Sequence, residues 1–381
     1  IRDRWETRIG ARSGEITDLN VRVSGVGNIA RSGFDFVQAA KQGITIQGRG
    51  TSAETGRTDR MFTSASLHDA RFGDTTAGRV ALGETAGKAF YSEKRIELTD
   101  FRVEKTELED IVMTSHSVMK DKKGGTAVTQ IYASGLTTLT GLEVTASLEF
   151  VPDAENPGQM RLERVNVPKL DIDRIDAGML GYASDIHRPK GKGKNEASDY
   201  SISDGALIGI EVRDLNIDMP DNDKEKMKIT GGTMDLAKVE NLRAWGFIHG
   251  LLQHGSARLN GSSLRVEFLE SGGQVIDIGK REVGPDGRVR YTGGMRADQG
   301  RVRSRYGSAR FATGALTGRI TNEGKVTHLE RLRMGSFTLQ SCALSFGDKK
   351  IVAPKPVKLS DIRIDARIDR NDAKNTKVDL T

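Results

Sequence analysis

The residues of this chain best suited to chemistry are a glycine-bracketed turn, a pair of histidines and two runs of carboxylates, and spacing decides what each can do. In GVGNIA, Gly25 and Gly27 follow an apolar segment and partly match the G-x-G-x-x-A fingerprint of a dinucleotide site. That chemistry needs a helix directly behind the glycines, its N-terminus aimed at a pyrophosphate. Gly33 interrupts the following segment and FDFVQAAK is short for a crossover helix, so the stretch reads as a corner. Of six histidines only His249 and His254 are neighbours, and they are five apart, not the four that align two imidazoles on one helical face. They are expected to cap or flank a helix, and no metal site is expected.

The carboxylates fare similarly. Asp218, Asp221, Asp223 and Glu225 brush against a calcium loop, but Lys226 stands where that loop needs the glycine of its sharp turn, so a solvated turn is expected. Asp171, Asp173 and Asp176 fall in one unit, and the first two are the pair that acid and base work on a β-solenoid would use. No aromatic sugar platform adjoins them. No G-x-S-x-G elbow occurs. The basic run Arg188 to Lys194, RPKGKGK, has no interleaved aromatics and reads as a flexible loop rather than a phosphate contact. No catalytic residue and no cofactor is assigned; enzymatic activity is left open, with the balance toward a non-catalytic chain.

Any such residue must be positioned by a recurring apolar rhythm. In LERVNVPKLDIDRID, Leu162, Val165, Val167, Leu170, Ile172 and Ile175 are separated by steps of three, two, three, two and three. Two-residue steps keep side chains on one face of a strand; a three-residue step throws the next to the opposite face unless the backbone turns or bulges there. The rhythm returns at Leu98 and Phe101, roughly forty residues on at Leu139 and Leu142, and later at Val212 and Leu215 and at Leu329 and Leu332. Stacked copies of such a unit share an interior that no single copy can bury. The fold class expected is all-β: an elongated repetitive β-sheet body, either an irregular β-solenoid or a curled antiparallel β-trough. One short helix is expected near 242–253, where Leu242, Trp245, Ile248, Leu251 and Leu252 sit at helix-like spacings.

Composition agrees. The 381 residues are 36% hydrophobic and only 5% aromatic, with 44 Gly against 8 Pro, so glycine is expected to make the corners. A net charge of +6 is mild for this length, and alternating signs as in EKRIELTDFRVEKTELED read as solvated faces. Cys342 lies in an apolar run and is expected to be a buried small hydrophobe. No stretch is long enough to span a bilayer as a helix; the longest, around Trp245 to Gln253, is too short. The chain opens at Ile1 with the charged RDRWE and no signal region, so a fragment or processed product is expected. The organisation expected is a β-repeat region over 1–183, a flexible loop over 184–200 that is the best hinge candidate, a second β-repeat region over 201–370 and a frayed tail over 371–381.

The segments LTDFRVEKTELEDI, LERVNVPKLDID, LIGIEVRDLNIDMP and LSDIRIDARID resemble, in strand texture, the repeated strands of the AsmA-like superfamily of bacterial envelope proteins. That resemblance implies an open trough with an apolar floor that binds or conveys lipid acyl chains. The floor would be Val165, Val167, Leu170, Ile172, Ile208, Ile210 and Val212. In the alternative with a closed core, the same residues satisfy one another. The leading expectation is then a non-catalytic scaffold, a spacer, passenger or effector part of a larger exported or envelope bacterial protein, periplasmic or extracellular. Its partners would be other domains of the larger chain; a lipid-transfer trough is the alternative, a carbohydrate-active enzyme on a solenoid the third reading. No specific nucleic-acid partner is expected.

Overall fold

The computed structural model describes residues 44–47, 60–62, 64–72, 75–83, 85–91, 95–118, 124–152, 160–219, 228–248, 254–371 and 377–380. Five short strands come first: β1 (Ile44–Gln47), β2 (Arg60–Phe62), β3 (Ser64–Phe72), β4 (Thr75–Leu82) and β5 (Thr85–Tyr91). Four long ones follow, β6 (Arg95–Val118), β7 (Thr126–Pro152), β8 (Met160–His187) and β9 (Glu196–Asp218). Next are β10 (Lys228–Ile229), β11 (Thr233–Ile248), β12 (His254–Phe268), β13 (Gln274–Ile278), β14 (Lys280–Val283), β15 (Val289–Thr292), β16 (Gly294–Ala297) and β17 (Gly300–Ser304). The last six are β18 (Gly307–Thr313), β19 (Leu316–Glu323), β20 (Val326–Phe346), β21 (Lys349–Ala353), β22 (Val357–Asp369) and β23 (Lys377–Leu380).

The described chain is all β. Twenty-one strands belong to one sheet, and β14 with β15 forms a separate two-stranded one. Every pair whose register is defined is antiparallel. Of the two architectures expected, the stacked parallel coils of a solenoid therefore give way to the antiparallel sheet. Contacts divide the chain into two compact units, the first Ile1–Met113, Tyr132–Ile175 and Ile210–Thr233, the second Thr114–Ile131, Asp176–Gly209 and Met234–Thr381.

Strands β6 to β9, of 24, 27, 28 and 23 residues, far exceed the usual length of about 3–10. Their bulges explain how a core face survives that length. In β9 the backbone is left-handed at Asp204 (φ 61°), Gly209 (φ 63°) and Asp214 (φ 51°), one in every five residues. A left-handed residue opening a bulge adds one position to its strand, so the apolar residue behind it returns to the face that a three-residue step would leave. Leu98 to Phe101 crosses Asp100 (φ 47°), Leu108 to Ile111 crosses Asp110 (φ 51°), Val239 to Leu242 crosses Asn241 (φ 49°) and Leu329 to Leu332 crosses Arg331 (φ 50°). In each, the left-handed residue directly precedes the second apolar one. Register slips where this requires, between Leu329 and Leu332 and opposite Ala86 and Lys88. Strand β8 keeps the rhythm with no left-handed residue among its described positions. Pro168, which cannot donate to a ladder, occupies its Val167 to Leu170 step, consistent with a bulge there.

Several glycines serve these bulges rather than the corners expected of them. A Cβ on Gly205 would stand 2.4 Å from the Glu240 carbonyl oxygen and 2.4 Å from the Leu242 nitrogen, on either side of the left-handed Asn241. One on Gly318 would lie 2.5 Å from the Arg331 carbonyl oxygen. Short polar side chains accept hydrogen bonds from the bulge amides. Asn241 N–H donates to Asn260 Oδ1 (2.7 Å) and Arg331 N–H to Asp365 Oδ1 (2.6 Å). The same arrangement joins Asp100 N–H to Thr145 Oγ1 (3.2 Å) and Gly135 N–H to Asp110 Oδ1 (3.0 Å). A bent strand thus keeps its polar backbone satisfied.

In the first unit the most buried side chains include Val103, Thr137, Ile172, Ile175 and Val212. In the second, Ala177, Val239 and Leu242 form a buried cluster against Ile202, Leu207, Leu236, Leu259 and Met295.

The expected helix is corrected. Leu242 to Ile248 are strand β11, not helix; residues 249–253 lie outside the described residues. The helix-like spacing arises from the Asn241 bulge followed by a strand whose Gly246 lies under the Tyr200 ring, 3.3 Å from where a Cβ would be. The 184–200 segment is strand at both ends, and its middle is a connection closed by Arg188 N–H donating to Asn195 Oδ1 (2.9 Å) and Lys192 N–H donating to the Pro189 carbonyl (2.9 Å). The unit boundaries do not fall there. In the 371–381 tail, Lys377–Leu380 pair with Ala366–Asp369 as β23. Cys342 is buried as expected.

Candidate functional site

The seven expected floor residues fall on β8 and β9, with Ile208 in the second unit and the other six in the first. Ile172 is 8% exposed and Val212 3%, while Val165, Val167, Leu170, Ile208 and Ile210 are half-buried. Ile172 and Val212 are thus already covered by protein. Their polar neighbours build the other face: Arg164 Nε donates to Asp218 Oδ1 (2.9 Å) and Asn166 Nδ2 to Asn216 Oδ1 (2.5 Å). These four, with Arg95, Ser147, Glu149 and Thr230, line an open hollow of about 470 Å³ in the first unit.

Beside that hollow the charges form a ladder across four strands of the first unit. Arg102 of β6 meets Glu143 of β7 (3.2 Å), Glu143 meets Lys169 of β8 (2.7 Å), Lys169 meets Asp171 (3.4 Å), and Asp171 receives Arg213 of β9. Asp171, one of the two carboxylates fit for acid–base work, is therefore a rung. The other, Asp173, has its carboxylate against Gly141, where any Cβ would collide with it.

The hydrogen bond from Lys169 holds the Glu143 carboxyl below its ordinary value of 4.5, and Glu143 in turn raises Lys169 above 10.5. A depressed carboxylate stabilises the fold above its unfolded value and loses that contribution as pH falls through its folded one. The raised lysine contributes below 10.5 and fades only above it. Between these limits the contribution of the Glu143–Lys169 pair should be insensitive to pH. Glu143→Gln should cost roughly 1 kcal/mol at neutral pH, and the difference from wild type should shrink below pH 4.5. Urea midpoints from pH 3 to 8 check this; a difference that stays constant to pH 3 would refute the ladder.

Most of the other sequence candidates fall where nothing is described. Gly25, Gly27, His249, Asp221, Asp223 and Glu225 lie outside the described residues. His254 opens β12 and packs its ring between Trp245 (5.9 Å) and Phe247 (5.3 Å). Among the described residues no group of three metal-ligating side chains occurs. Arg188 of the basic loop turns inward to donate to the Gly124 carbonyl (2.8 Å).

An arginine-rich surface was missed by the sequence reasoning. The hairpin of β17 and β18, GRVRSRYGSARF, carries Arg301, Arg303, Arg305 and Arg310 and no acidic residue. Its register sets Arg301 opposite Ser256 and Arg310, and Arg303 opposite His254 and Ser308. Directly opposed residues share a face, so Arg301, Arg303 and Arg310 stand together. With Arg243 and Trp245 from β11, Arg301 and Arg303 line a groove of about 200 Å³ in the second unit. The signal was there as arginine at period two between a glycine and a hairpin turn. Comparison of the chain with family models, with curated proteins and with solved structures finds no match.

Proposed function

We propose that this chain is a non-catalytic β-sheet scaffold within a larger bacterial protein of the envelope or the exported class, serving as spacer, passenger or effector part. The observation that carries the reading is the charge ladder from Arg102 through Glu143, Lys169 and Asp171 to Arg213, where ionisable side chains are spent on joining β6, β7, β8 and β9. The bulge amides held by Asn260 and Asp365 extend the same economy to the backbone of the second unit. Its partners are other domains of the parent protein, and its setting is periplasmic or extracellular.

A second reading, an acyl-chain trough of AsmA-like type, is favoured by one observation. Ile131 (56% exposed), Tyr182 (42%) and Tyr200 (44%), on β7, β8 and β9 of the second unit, leave large apolar side chains in solvent. The purified chain, extracted with organic solvent and examined by mass spectrometry, separates the two. The scaffold reading expects no stoichiometric lipid, and recovery of about one phospholipid per chain would replace it with the trough.

A further inference from the structure

We propose that the arginine face of the β11, β12, β17 and β18 strands binds single-stranded nucleic acid without sequence preference, a function beyond scaffolding. Arg301 and Arg310 are directly opposed across β17 and β18, and like charges so placed destabilise a sheet. Among the described residues no carboxylate pairs with Arg301, Arg303 or Arg310, and the nearest to Arg243 is Asp204 at 3.9 Å. A polyanion laid along the face supplies the missing counter-charge. Arg301 and Arg303, two residues apart on one strand, have Cα atoms about 7 Å apart, and guanidinium forks match phosphate oxygens bidentately.

Charge alone would suit any polyanion; the rings narrow the choice. Trp245 and His254 line the same groove as Arg301 and Arg303, their ring centroids 5.9 Å apart. At the hairpin turn Arg305 lies 4.7 Å over the Tyr306 ring. Aromatic faces beside a cationic track are the two elements that hold single strands, since bases stack on rings whatever their identity while the backbone follows the charge. A membrane interface also accepts an indole ring, so anionic vesicles serve as the control.

The test is fluorescence anisotropy of the full chain with a labelled oligo-dT of about 20 nucleotides, longer than the ~4–16 nucleotides of common single-strand sites. Binding should weaken with salt, and Arg301→Ala with Arg303→Ala should make the slope of log K against log salt shallower by about 1.4, near 0.7 for each lost phosphate contact. Trp245→Leu should weaken binding between about 5-fold and 160-fold with little change in slope, and Trp245→Phe should restore most of it. Melting curves confirm that each variant is folded, and the exposed arginine pair keeps the test decisive if Trp245→Leu is not. No binding at low salt, or slopes unchanged by the arginine pair, overturns the proposal. So does equal binding of heparin or phosphatidylglycerol vesicles with the same dependence on Trp245.

Discussion

Gly318→Ala should destabilise the chain by roughly 2 to 6 kcal/mol, adding about 1–3 for a non-glycine residue in a sparsely populated backbone conformation to about 1–3 for overpacking. Gly318 is buried at φ 131°, and its missing Cβ would stand 2.5 Å from the Arg331 oxygen and 2.8 Å from the Leu332 Cα. Both neighbours are backbone, held in place because Arg331 is itself a bulge residue whose amide is tied to Asp365. The side chain therefore has no flexible partner to displace, and relief requires β19 to separate from β20. Urea unfolding of the variant measures the loss, and hydrogen exchange should show it concentrated at Arg319 to Asn322 and at Thr327 to Glu330, which pair across that seam. A loss below about 0.5 kcal/mol, the level of an ordinary surface substitution, would mean that the glycine is incidental.

Leu242→Ala should cost about 2–5 kcal/mol, the range for removing a buried leucine and leaving a cavity. Leu242 is 4% exposed, within the cluster of Val239 and Ala177, and follows the Asn241 bulge directly. Thermal or urea denaturation reads this loss, and Leu242→Met, close in volume, should recover most of it. The opposite ranking, with methionine as damaging as alanine, would show that backbone geometry at the bulge rather than side-chain volume dominates the site.

The all-β class and the bulged three-residue step were legible because parity is local: Leu98, Asp100 and Phe101 carry the information within four positions. The residues that open the bulges were legible only by position, directly before the second apolar residue, since Arg331 plays that part beside Asp100, Asp110 and Asn241. What opposes them was not. Gly318 acquires its role from Arg331 and Gly205 from Glu240 and Leu242, on strands that only pairing brings together. The helix expected over 242–253 shows the same limit, since Leu242, Trp245 and Ile248 fit a helical stripe as well as a strand entered through a bulge. Asp171 was weighed for acid–base work and Asp218 for a calcium loop because their partners, Arg213 and Arg164, lie far off in sequence. The arginine face was hidden for the opposite reason. Alternating charge is how any solvated strand reads, and only the registers with Ser256 and His254 show that three arginines lack a carboxylate across from them.

The left-handed positions at Asp204, Gly209 and Asp214 recur every fifth residue along β9. Such a strand has a quantum of growth. Insertion or deletion of five residues carries one whole kink with it and returns every later side chain to its former side, whereas a single-residue indel inverts the remainder. Length in this chain can change by modular steps too small to be seen as a domain and too large to arise from one codon.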